Sequence, residues 1–334
     1  MAELEMVTFT IIVDDIVYPD GRTAMALLGG GGPQTAFGAQ VWTPQDKRIG
    51  LAAGIGSDFP GACREWLENM GIDTSGLLEW VSPTLRAWQI LEEDGRRTQV
   101  WRVNMGDDVW DMLKTPIERL PPPYQTAKTY HIGVHPSGRD VDFIHSLRST
   151  GAQVVSVEVY THALEILTRS ELKALVSAGH IFSPNEKEAA SLVGPGSSME
   201  LIGRLAELGA EVVVLRRGHL GCLAHRADSG ETWEVPAFHS VLKQKQEVEY
   251  NEQHDHVASN SRVVDPTGCG NTFCGGFLIG WRKTRDLLKA AVWGSVSASF
   301  MIEHEGIPPP PMVQWRSQAQ SRAQFLTLQA KKLN

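Results

Sequence analysis

The sequence predicts an α/β protein with a mostly parallel central β-sheet and helices on both faces of that sheet. From residue 129 onward, short apolar segments typical of buried strands alternate with helical patterns, as in parallel strands joined by crossover helices. Hydrophobic residues make up 42% and charged residues 21% of the 334 residues, a balance that supports a substantial core. In this part, strands are predicted at 130–134, 154–159, 180–182 and 212–215, and helices at 141–149, 170–178, 185–193 and 198–208.

Charge and cysteine content narrow the possible functions. The formal net charge is −8, so we expect neither a nucleic-acid partner nor an anionic membrane surface, both of which require clustered basic residues. The 4 cysteines form no CxxC pair, which argues against a zinc knuckle or a disulfide framework. No apolar run reaches the roughly 18 residues of a membrane span, and the acidic N-terminus does not resemble a secretory signal. We therefore expect a cytoplasmic protein.

Two acidic residues, Asp14 and Asp15, interrupt the first apolar segment, which spans residues 7–17. We interpret the segment as a buried strand that ends in carboxylates. In an open α/β sheet, strand ends of this kind often face the ligand crevice. A solvated strand end is the alternative for either residue alone.

Four consecutive glycines, Gly29 to Gly32, precede Pro33, which is predicted to stand in the first turn of a helix through Ala39. Glycines at a helix start leave the backbone bare, so that a ligand can approach the N–H groups there. A flexible loop is the alternative interpretation.

The other early elements follow from apolar runs and turn residues. The Asp94-Gly95 pair lies between two alternating runs and predicts a β-hairpin over residues 84–101. The remaining predicted elements are a strand at 49–55, a helix that ends before Gly71, a hairpin at 221–238, and helices through 281 and over 286–302.

Two segments depart from this regular alternation. Residues 241–262, approximately, are polar and lack periodicity, which predicts an insertion loop. His254, Asp255 and His256 within it could bind a metal, but a solvated loop is the simpler interpretation. After four consecutive prolines, residues 313–334 are predicted to form a C-terminal tail outside a domain of residues 1–312.

The sharpest chemical signal is the sequence from Asp265 to Asn271, Asp-Pro-Thr-Gly-Cys-Gly-Asn, between a predicted short strand at 263–264 and a helix. Gly268 and Gly270 permit a tight turn whose N–H groups converge, and the helix adds its partial positive end. Such a pocket stabilises the charge of a transferring phosphoryl group.

In these motifs the chain resembles the PfkB, or ribokinase-like, carbohydrate and nucleoside kinases. Their C-terminal signature reads Asp-Thr-x-Gly-Ala-Gly-Asp, and the other family motifs occur here in family order between residues 10 and 308. With Asn271 at the end of this signature, the chain looks like a divergent fungal branch that is similar to the killer-virus maintenance proteins. The matching residues are Gly29, Gly30, Gly32 and Ala36; Gly56, Asp58 and Gly61; Pro184, Asn185 and Glu188; Gly218 and Gly221; and Asp265, Thr267, Gly268, Gly270, Phe273 and Gly276.

The resemblance implies a ribokinase-like three-layer αβα fold and a small β-sheet lid, formed by residues 15–28 and 84–103, approximately. A small-molecule substrate would bind under this lid, ATP would bind beside it, and the lid would allow a homodimer. The implied substrate contacts are Asp14, Gly30, Gly31 and Gln34, the last of which replaces the family's Asn. The implied nucleotide contacts are Gly218, Gly221, Thr267, Asn185 and Glu188, and the anion hole is formed by Gly268, Cys269 and Gly270. Glu188 would organise Mg²⁺ through water, and Asp265 would serve a monovalent cation such as K⁺.

One departure from the family bears on catalysis. The family's second signature Asp takes the proton from the substrate hydroxyl, whereas here Asn271 stands at that base position. An amide accepts no proton at neutral pH, and general-base assistance contributes about 10²–10⁴-fold. Val296, where many members carry Asn near the adenine, is a second departure.

Three functions remain open at this point. The chain is a kinase for a hydroxylated or anionic metabolite, a non-catalytic ligand-binding protein that acts through a protein partner, or an enzyme that uses the anion hole for other chemistry. Asp265 and Cys269 are candidates to replace the base. For Asp265 a structural role is preferred, and for Cys269 an inert thiol, although helix-end N–H groups would lower the pKa of that thiol.

Overall fold

The computed structural model describes residues 3–93, 97–102, 109–243 and 263–334. Within these segments no helix combines the length and the apolar character needed to cross a bilayer. The 254–256 trio, the turn at Asp94-Gly95 and most of the expected insertion lie outside the described residues.

The described residues form fourteen strands. They are β1 Glu3–Phe9, β2 Ile12–Val17, β3 Thr23–Gly29, β4 Lys47–Ile55, β5 Leu77–Glu79, β6 Arg86–Leu91, β7 Arg97–Trp101, β8 Thr129–Val134, β9 Val154–Val159, β10 Ile181–Phe182, β11 Val212–Arg216, β12 Cys222–Arg226, β13 Thr232–Val235 and β14 Lys331–Lys332. Ten of them form the central sheet in the order β14-β13-β12-β11-β10-β9-β8-β1-β4-β5. All neighbours from β11 to β5 are parallel, and β12, β13 and β14 extend the sheet antiparallel. The predicted mostly parallel sheet is confirmed.

The helices include those that connect the parallel strands from residue 129 onward, as the strand–helix alternation predicts. They are α1 Gly31–Gln40, α2 Gly61–Asn69, α3 Val109–Leu113, α4 Pro122–Gln125, α5 Val141–Ser149, α6 Arg169–Ala178, α7 Glu186–Val193, α8 Ser198–Glu207, α9 Cys269–Thr284, α10 Leu287–Met301 and α11 Met312–Thr327. Short 3₁₀ turns cover Ile117–Arg119 and Gly218–Leu220.

Alternate residues of the central strands face two separate cores. In β11, Val212 and Val214 pack with residues of α1, α9, α10 and α11, whereas Val213 and Leu215 pack with residues of α5 to α8. Successive side chains of a strand point to opposite faces, so a strand buried on both faces is a continuous apolar run. The molecule therefore has three layers, with helices on both sides of the sheet.

A second sheet, in the order β3-β2-β6-β7, forms the lid. The segment 7–17 was predicted to be one strand, but it divides at Thr10, whose φ of 82° turns the chain from the central sheet into the lid. The Thr10 hydroxyl donates to the Leu113 carbonyl at 2.8 Å, which anchors this turn. One apolar run therefore supplies strands to two different sheets.

The C-terminal segment belongs to the compact fold, in contrast to the tail expected for residues 313–334. Trp315, Ala319 and Leu326 of α11 are buried in the core that also contains α1 and α10, and β14 pairs with β13. Arg322 is buried on the same helix and bonds the Ser299 hydroxyl at 2.8 Å. A paired arginine among the buried positions obscures the apolar pattern by which such a helix is recognised in the sequence.

Candidate active site

The site lies where the order of the central strands reverses. β1 has β4 on one side and the later strand β8 on the other, and open α/β sheets bind ligands at the carboxyl ends of strands around such a point. Two cavities of about 500 and 670 Å³ open there. Glu158, Tyr160, Thr267 and Asn271 line both cavities, so these residues mark the junction between them.

The turn before α9 has the conformation of an anion site. Gly268 adopts a left-handed φ of 80° and forms the N-cap of this helix. Within the described part of the chain, the N–H groups of Gly268, Gly270 and Asn271 have no hydrogen-bond partner. Because the positive end of the α9 dipole adds to these amides, the turn can bind an anion.

Asp265 holds this turn at its start. The predicted short strand at 263–264 does not form, because the N–H groups of Val264 and Asp265 donate to the Ile302 carbonyl at 2.8 and 3.2 Å, at the end of α10. Asp265 Oδ1 accepts from the Thr267 N–H at 2.8 Å. Its Oδ2 is buried and has no partner among the described groups. A buried carboxylate oxygen without a partner fits a role in binding a cation.

Arg216, at the end of β11, brings a positive charge to the turn. A Cβ placed on Gly270 would collide with its Nη1, so a side chain at this position of the turn would force the guanidinium or the turn to move. Its Nη1 lies 3.1 Å from Glu158 Oε2, and its Nη2 lies 3.3 Å from Glu188 Oε2 and donates to the Ser183 carbonyl at 2.8 Å. These partners fix the guanidinium beside the unpaired amides.

The side chain of Asn271 lies between an amide and a carboxylate. Its amide group is 2.6 Å from that of Gln34 in the first turn of α1. Its other end contacts Glu158 Oε1 and lies 3.3 Å from Oε2. An ionised carboxylate only accepts hydrogen bonds, so the Asn271 nitrogen faces Glu158 and donates. The Asn271 oxygen then faces Gln34, whose amide must be turned in the same way so that its nitrogen donates to Asn271.

Glu158 is a buried carboxylate on β9 with three further partners. Besides Arg216, it contacts His131 Nε2 at 3.4 Å and the Cys274 thiol at 3.5 Å. Burial by itself would raise the pKa of Glu158, but the charge of Arg216, followed by His131 and Cys274, outweighs burial and lowers it. Glu158 is therefore ionised at neutral pH. The other ring nitrogen of His131 bonds the Ser156 hydroxyl at 3.2 Å.

The predicted substrate residues surround the first cavity. Asp14, Gly30, Gly31 and Gln34 all line it. Gln89 of β6 donates to Asp14 Oδ1 at 2.8 Å, which orients this carboxylate on the inner face of the lid. Trp101, Trp110 and Tyr160 add aromatic surface to the same cavity.

Asp15 does not face the ligand crevice. It is completely buried and accepts from Arg86 Nε at 2.6 Å and from Arg102 Nη1. The strand-end interpretation therefore holds for Asp14 only, and Asp15 ties β2 to β6 in the lid.

The nucleotide-side residues line the second cavity. They are Asn185, Glu188, Gly218, Gly221, Thr267, Gly268, Cys269 and Gly270. Val296 is completely buried in the core, whereas Ser295 and Ser299 of the same helix line the cavity. Although Val296 stands where many family members carry Asn, the cavity wall still contains the polar side chains of Ser295 and Ser299.

Asn185 and Glu188 form a capping box at the start of α7. Asn185 Oδ1 accepts from the Glu188 N–H at 2.9 Å, and Glu188 Oε2 accepts from the Asn185 N–H at 2.7 Å. Burial raises the pKa of Glu188, an effect that Arg216 only partly offsets. The cap and Arg216 share one oxygen of Glu188, Oε2, so Oε1 is the atom that could interact with Mg²⁺ or with its waters.

The pKa of the Cys269 thiol favours the inert interpretation of this residue. Burial, and then the charge of Asp265, raise its pKa to about 12. The net direction is therefore upward, opposite to the lowering expected from the helix-end N–H groups. A protonated thiol at neutral pH cannot act as a nucleophile or base.

Sequence reasoning missed Glu158, Arg216 and His131. Their signal is a charged or titratable side chain within an otherwise apolar strand: Glu158 in Val-Val-Ser-Val-Glu-Val, and Arg216 at the end of Val-Val-Val-Leu-Arg. Charged side chains are rarely buried unless they are paired. A charged residue near the carboxyl end of an apolar strand therefore indicates a ligand-binding site at that edge of the sheet.

Comparisons with known proteins agree with this geometry. Residues 21–244 match the family described as pfkB family carbohydrate kinase. A cytidine kinase of Thermococcus kodakarensis is 29% identical over 298 residues, which are 89% of this chain and 95% of that protein. Protein MAK32 of Saccharomyces cerevisiae is 24% identical over 306 residues, which are 84% of this chain and 78% of that protein. Arabidopsis thaliana ribokinase complexed with ribose and ATP has a TM-score of 0.66 at 18% identity, over 97% of this chain and 100% of that chain, which confirms the ribokinase-like fold. The chain therefore belongs to the pfkB carbohydrate kinase family, as its motifs predict.

Proposed function

We propose that the protein transfers the γ-phosphate of ATP to a hydroxyl group of a nucleoside or a similar sugar derivative. The observation that carries this proposal is the anion-binding turn at residues 268–271, which lies between two cavities and has Arg216 beside it. A bound phosphoryl group there would face one cavity for its donor and one for its acceptor.

The turn and Arg216 supply what phosphoryl transfer requires from a protein. The transition state is loose and spreads negative charge over the equatorial oxygens, so positioning and charge stabilisation dominate catalysis. Unpaired amides of Gly268, Gly270 and Asn271 and a fixed guanidinium provide both without rearrangement. ATP would occupy the second cavity, with its adenine and ribose toward the 3₁₀ turn at Gly218–Leu220.

The first cavity suits a nucleoside. Its volume of about 500 Å³ is in the range of small-molecule sites. Asp14 and Gln34 offer hydrogen bonds to sugar hydroxyls, and the rings of Trp101 and Trp110 offer flat apolar surface to a base. The similarity to a cytidine kinase over 95% of that protein supports the same substrate class.

Two cations would accompany the nucleotide. Mg²⁺ on the ATP phosphates would neutralise charge during transfer, and the contacts of Glu188 favour an interaction with the ion through water. The unpartnered Asp265 Oδ2 suits a monovalent cation such as K⁺, placed next to the turn.

We also propose that the lid edges, β3 and β7, pair with a second copy of the protein, because exposed edge strands carry unpaired N–H and carbonyl groups.

Product analysis tests the proposal. Purified protein, ATP and Mg²⁺ are incubated with cytidine, uridine, adenosine, inosine and ribose in turn, and ³¹P NMR follows ADP and phosphorylated acceptor. We expect equal amounts of ADP and of a nucleoside monophosphate with at least one acceptor. Calorimetric binding of ATP and nucleoside without any product would contradict the proposal and favour a ligand-binding protein. ADP without phosphorylated acceptor would favour other chemistry.

A further inference from the structure

We infer that Glu158 is the general base of the phosphotransfer and that Asn271 positions it. The inference rests on the proposed kinase function. It assigns the proton-accepting role, which Asn271 cannot perform, to a carboxylate on a different strand.

The location of Glu158 fits this role. Its carboxylate lies within hydrogen-bonding distance of Asn271, the family's base position, and it lines both cavities at their junction. His131, which also lines the substrate cavity, contacts Ser156 with one ring nitrogen and Glu158 with the other, so its titratable partner is this same carboxylate. Asp14 is held on the lid by Gln89, and Asp265 is directed into the turn.

The surroundings of Glu158 explain why residue 271 is an amide. An aspartate at 271 would place two carboxylates in contact, and like charges at that distance cannot both remain ionised at little cost. The amide instead donates to Glu158 and accepts from Gln34, which fixes the carboxylate with respect to the substrate cavity. An amide at 271 and a carboxylate at 158 are thus complementary.

The reaction balances with Glu158 as acceptor. The substrate hydroxyl oxygen forms a bond to the γ-phosphorus, and the bond from this phosphorus to the β–γ bridging oxygen breaks, with its electron pair leaving on ADP. The hydroxyl proton passes to the Glu158 carboxylate, directly or through one water, and is later released to solvent. Before transfer, the phosphate charge beside Arg216 weakens the hold of that guanidinium on Glu158 and so increases the proton affinity of the carboxylate.

An exchange of the two side chains tests the inference. Glu158→Gln, Asn271→Asp and the double variant are compared with the native protein for kcat with the best nucleoside, and Glu207→Gln on the exposed face of α8 is the matched control. Thermal unfolding and ATP binding report on the fold of each variant.

We expect Glu158→Gln to lose about 10²–10⁴-fold in kcat with ATP binding retained, as for removal of a general base. Asn271→Asp should also be slower than the native protein, and the double variant should recover at least about tenfold over Glu158→Gln, because it restores one carboxylate and one amide in exchanged places.

Native-like turnover of Glu158→Gln would overturn the inference while leaving the kinase function intact. If Glu158→Gln fails to fold, faster turnover of Asn271→Asp than of the native protein would overturn it. A native protein without turnover on any acceptor refutes the kinase function itself, and the inference with it.

Discussion

At the scale of single residues, the phosphate site that we propose depends on Gly270, a residue without a side chain, where Arg216 approaches the backbone. Gly270 leaves room for the guanidinium, and Glu158, Glu188 and the Ser183 carbonyl hold it there. A flexible arginine would normally move away from an added methyl group. Arg216 is fixed by three partners, so a methyl group at residue 270 would either break its contacts with these partners or displace the turn.

Gly270→Ala should therefore weaken ATP binding and lower kcat/KM by about tenfold or more, the equivalent of about 1.4 kcal/mol. Gly203→Ala in α8 is the matched control, because a Cβ there meets no atom within 4 Å. The control should keep native activity and gain up to about 1 kcal/mol in stability from helix propensity. Calorimetry with ATP and steady-state kinetics measure the difference, and equal ATP affinity of the two variants would contradict the assigned phosphate site.

At the scale of elements, the lid is held together by a buried ion cluster. Asp15 accepts from Arg86, Arg102 and the Ala26 N–H. Burial would raise its pKa, but Arg86, the Ala26 amide and Arg102 outweigh burial and lower the pKa to about 2 from the usual 3.8. The ionised form is therefore the one that stabilises the fold.

Because the folded-state pKa lies below the unfolded one, the contribution of Asp15 should be complete above about pH 4 and be lost as the pH falls from about 4 to 2. Asp15→Asn should destabilise the protein by about 3–5 kcal/mol at pH 7. It should also show a smaller loss of stability between pH 5 and pH 3 than the native protein. Urea unfolding at both pH values measures this, with Asp20→Asn, an exposed partner of Arg22, as a control expected to change stability by less than about 1 kcal/mol. Parallel pH dependence of native protein and Asp15→Asn would show that Asp15 is not the titrating group.

Helix α11 is a second element whose role can be measured. Trp315 packs against Phe37 and Phe300, with ring centroids 6.2 and 5.5 Å away, and its indole N–H donates to the Pro309 carbonyl at 2.9 Å. Trp315→Ala should cost about 3–5 kcal/mol in the free energy of unfolding.

Val313→Ala, on the exposed side of the same helix, should change that free energy by less than about 0.5 kcal/mol. Chemical denaturation of both variants provides the comparison. If Trp315→Ala is as stable as the native protein, α11 is a detachable tail and not part of the core.

At the scale of the whole molecule, local pattern predicted most of the architecture. The strands and helices from residue 129 onward follow from hydrophobic periodicity, because each buries a face of regular spacing. The division of residues 7–17 at Thr10 could not be predicted in this way, since both halves are apolar and only a positive φ separates them. The burial of α11 was missed because its core face includes Arg322, whose buried partner Ser299 lies on the preceding helix α10.

The site shows the same limit. The sequence predicts the roles of the glycines, Asp14 and Gln34, because each belongs to a short motif within a single segment of the chain. The positions of Glu158 and Arg216 could not be predicted, because they depend on β9, β11 and α9 meeting at one edge of the sheet. The sequence shows that the base position holds an amide, Asn271. The carboxylate to which we assign the proton-accepting role, Glu158, is 113 residues away along the chain.

The most direct test of the account is a crystal structure of the protein with a non-hydrolysable ATP analogue, Mg²⁺ and a nucleoside acceptor. The account predicts the γ-phosphate within hydrogen-bonding distance of the N–H groups of Gly268, Gly270 and Asn271. It also predicts the acceptor hydroxyl between that phosphate and the Glu158 carboxylate. A γ-phosphate bound away from this turn, or a Glu158 carboxylate screened from the acceptor by intervening side chains, would contradict it.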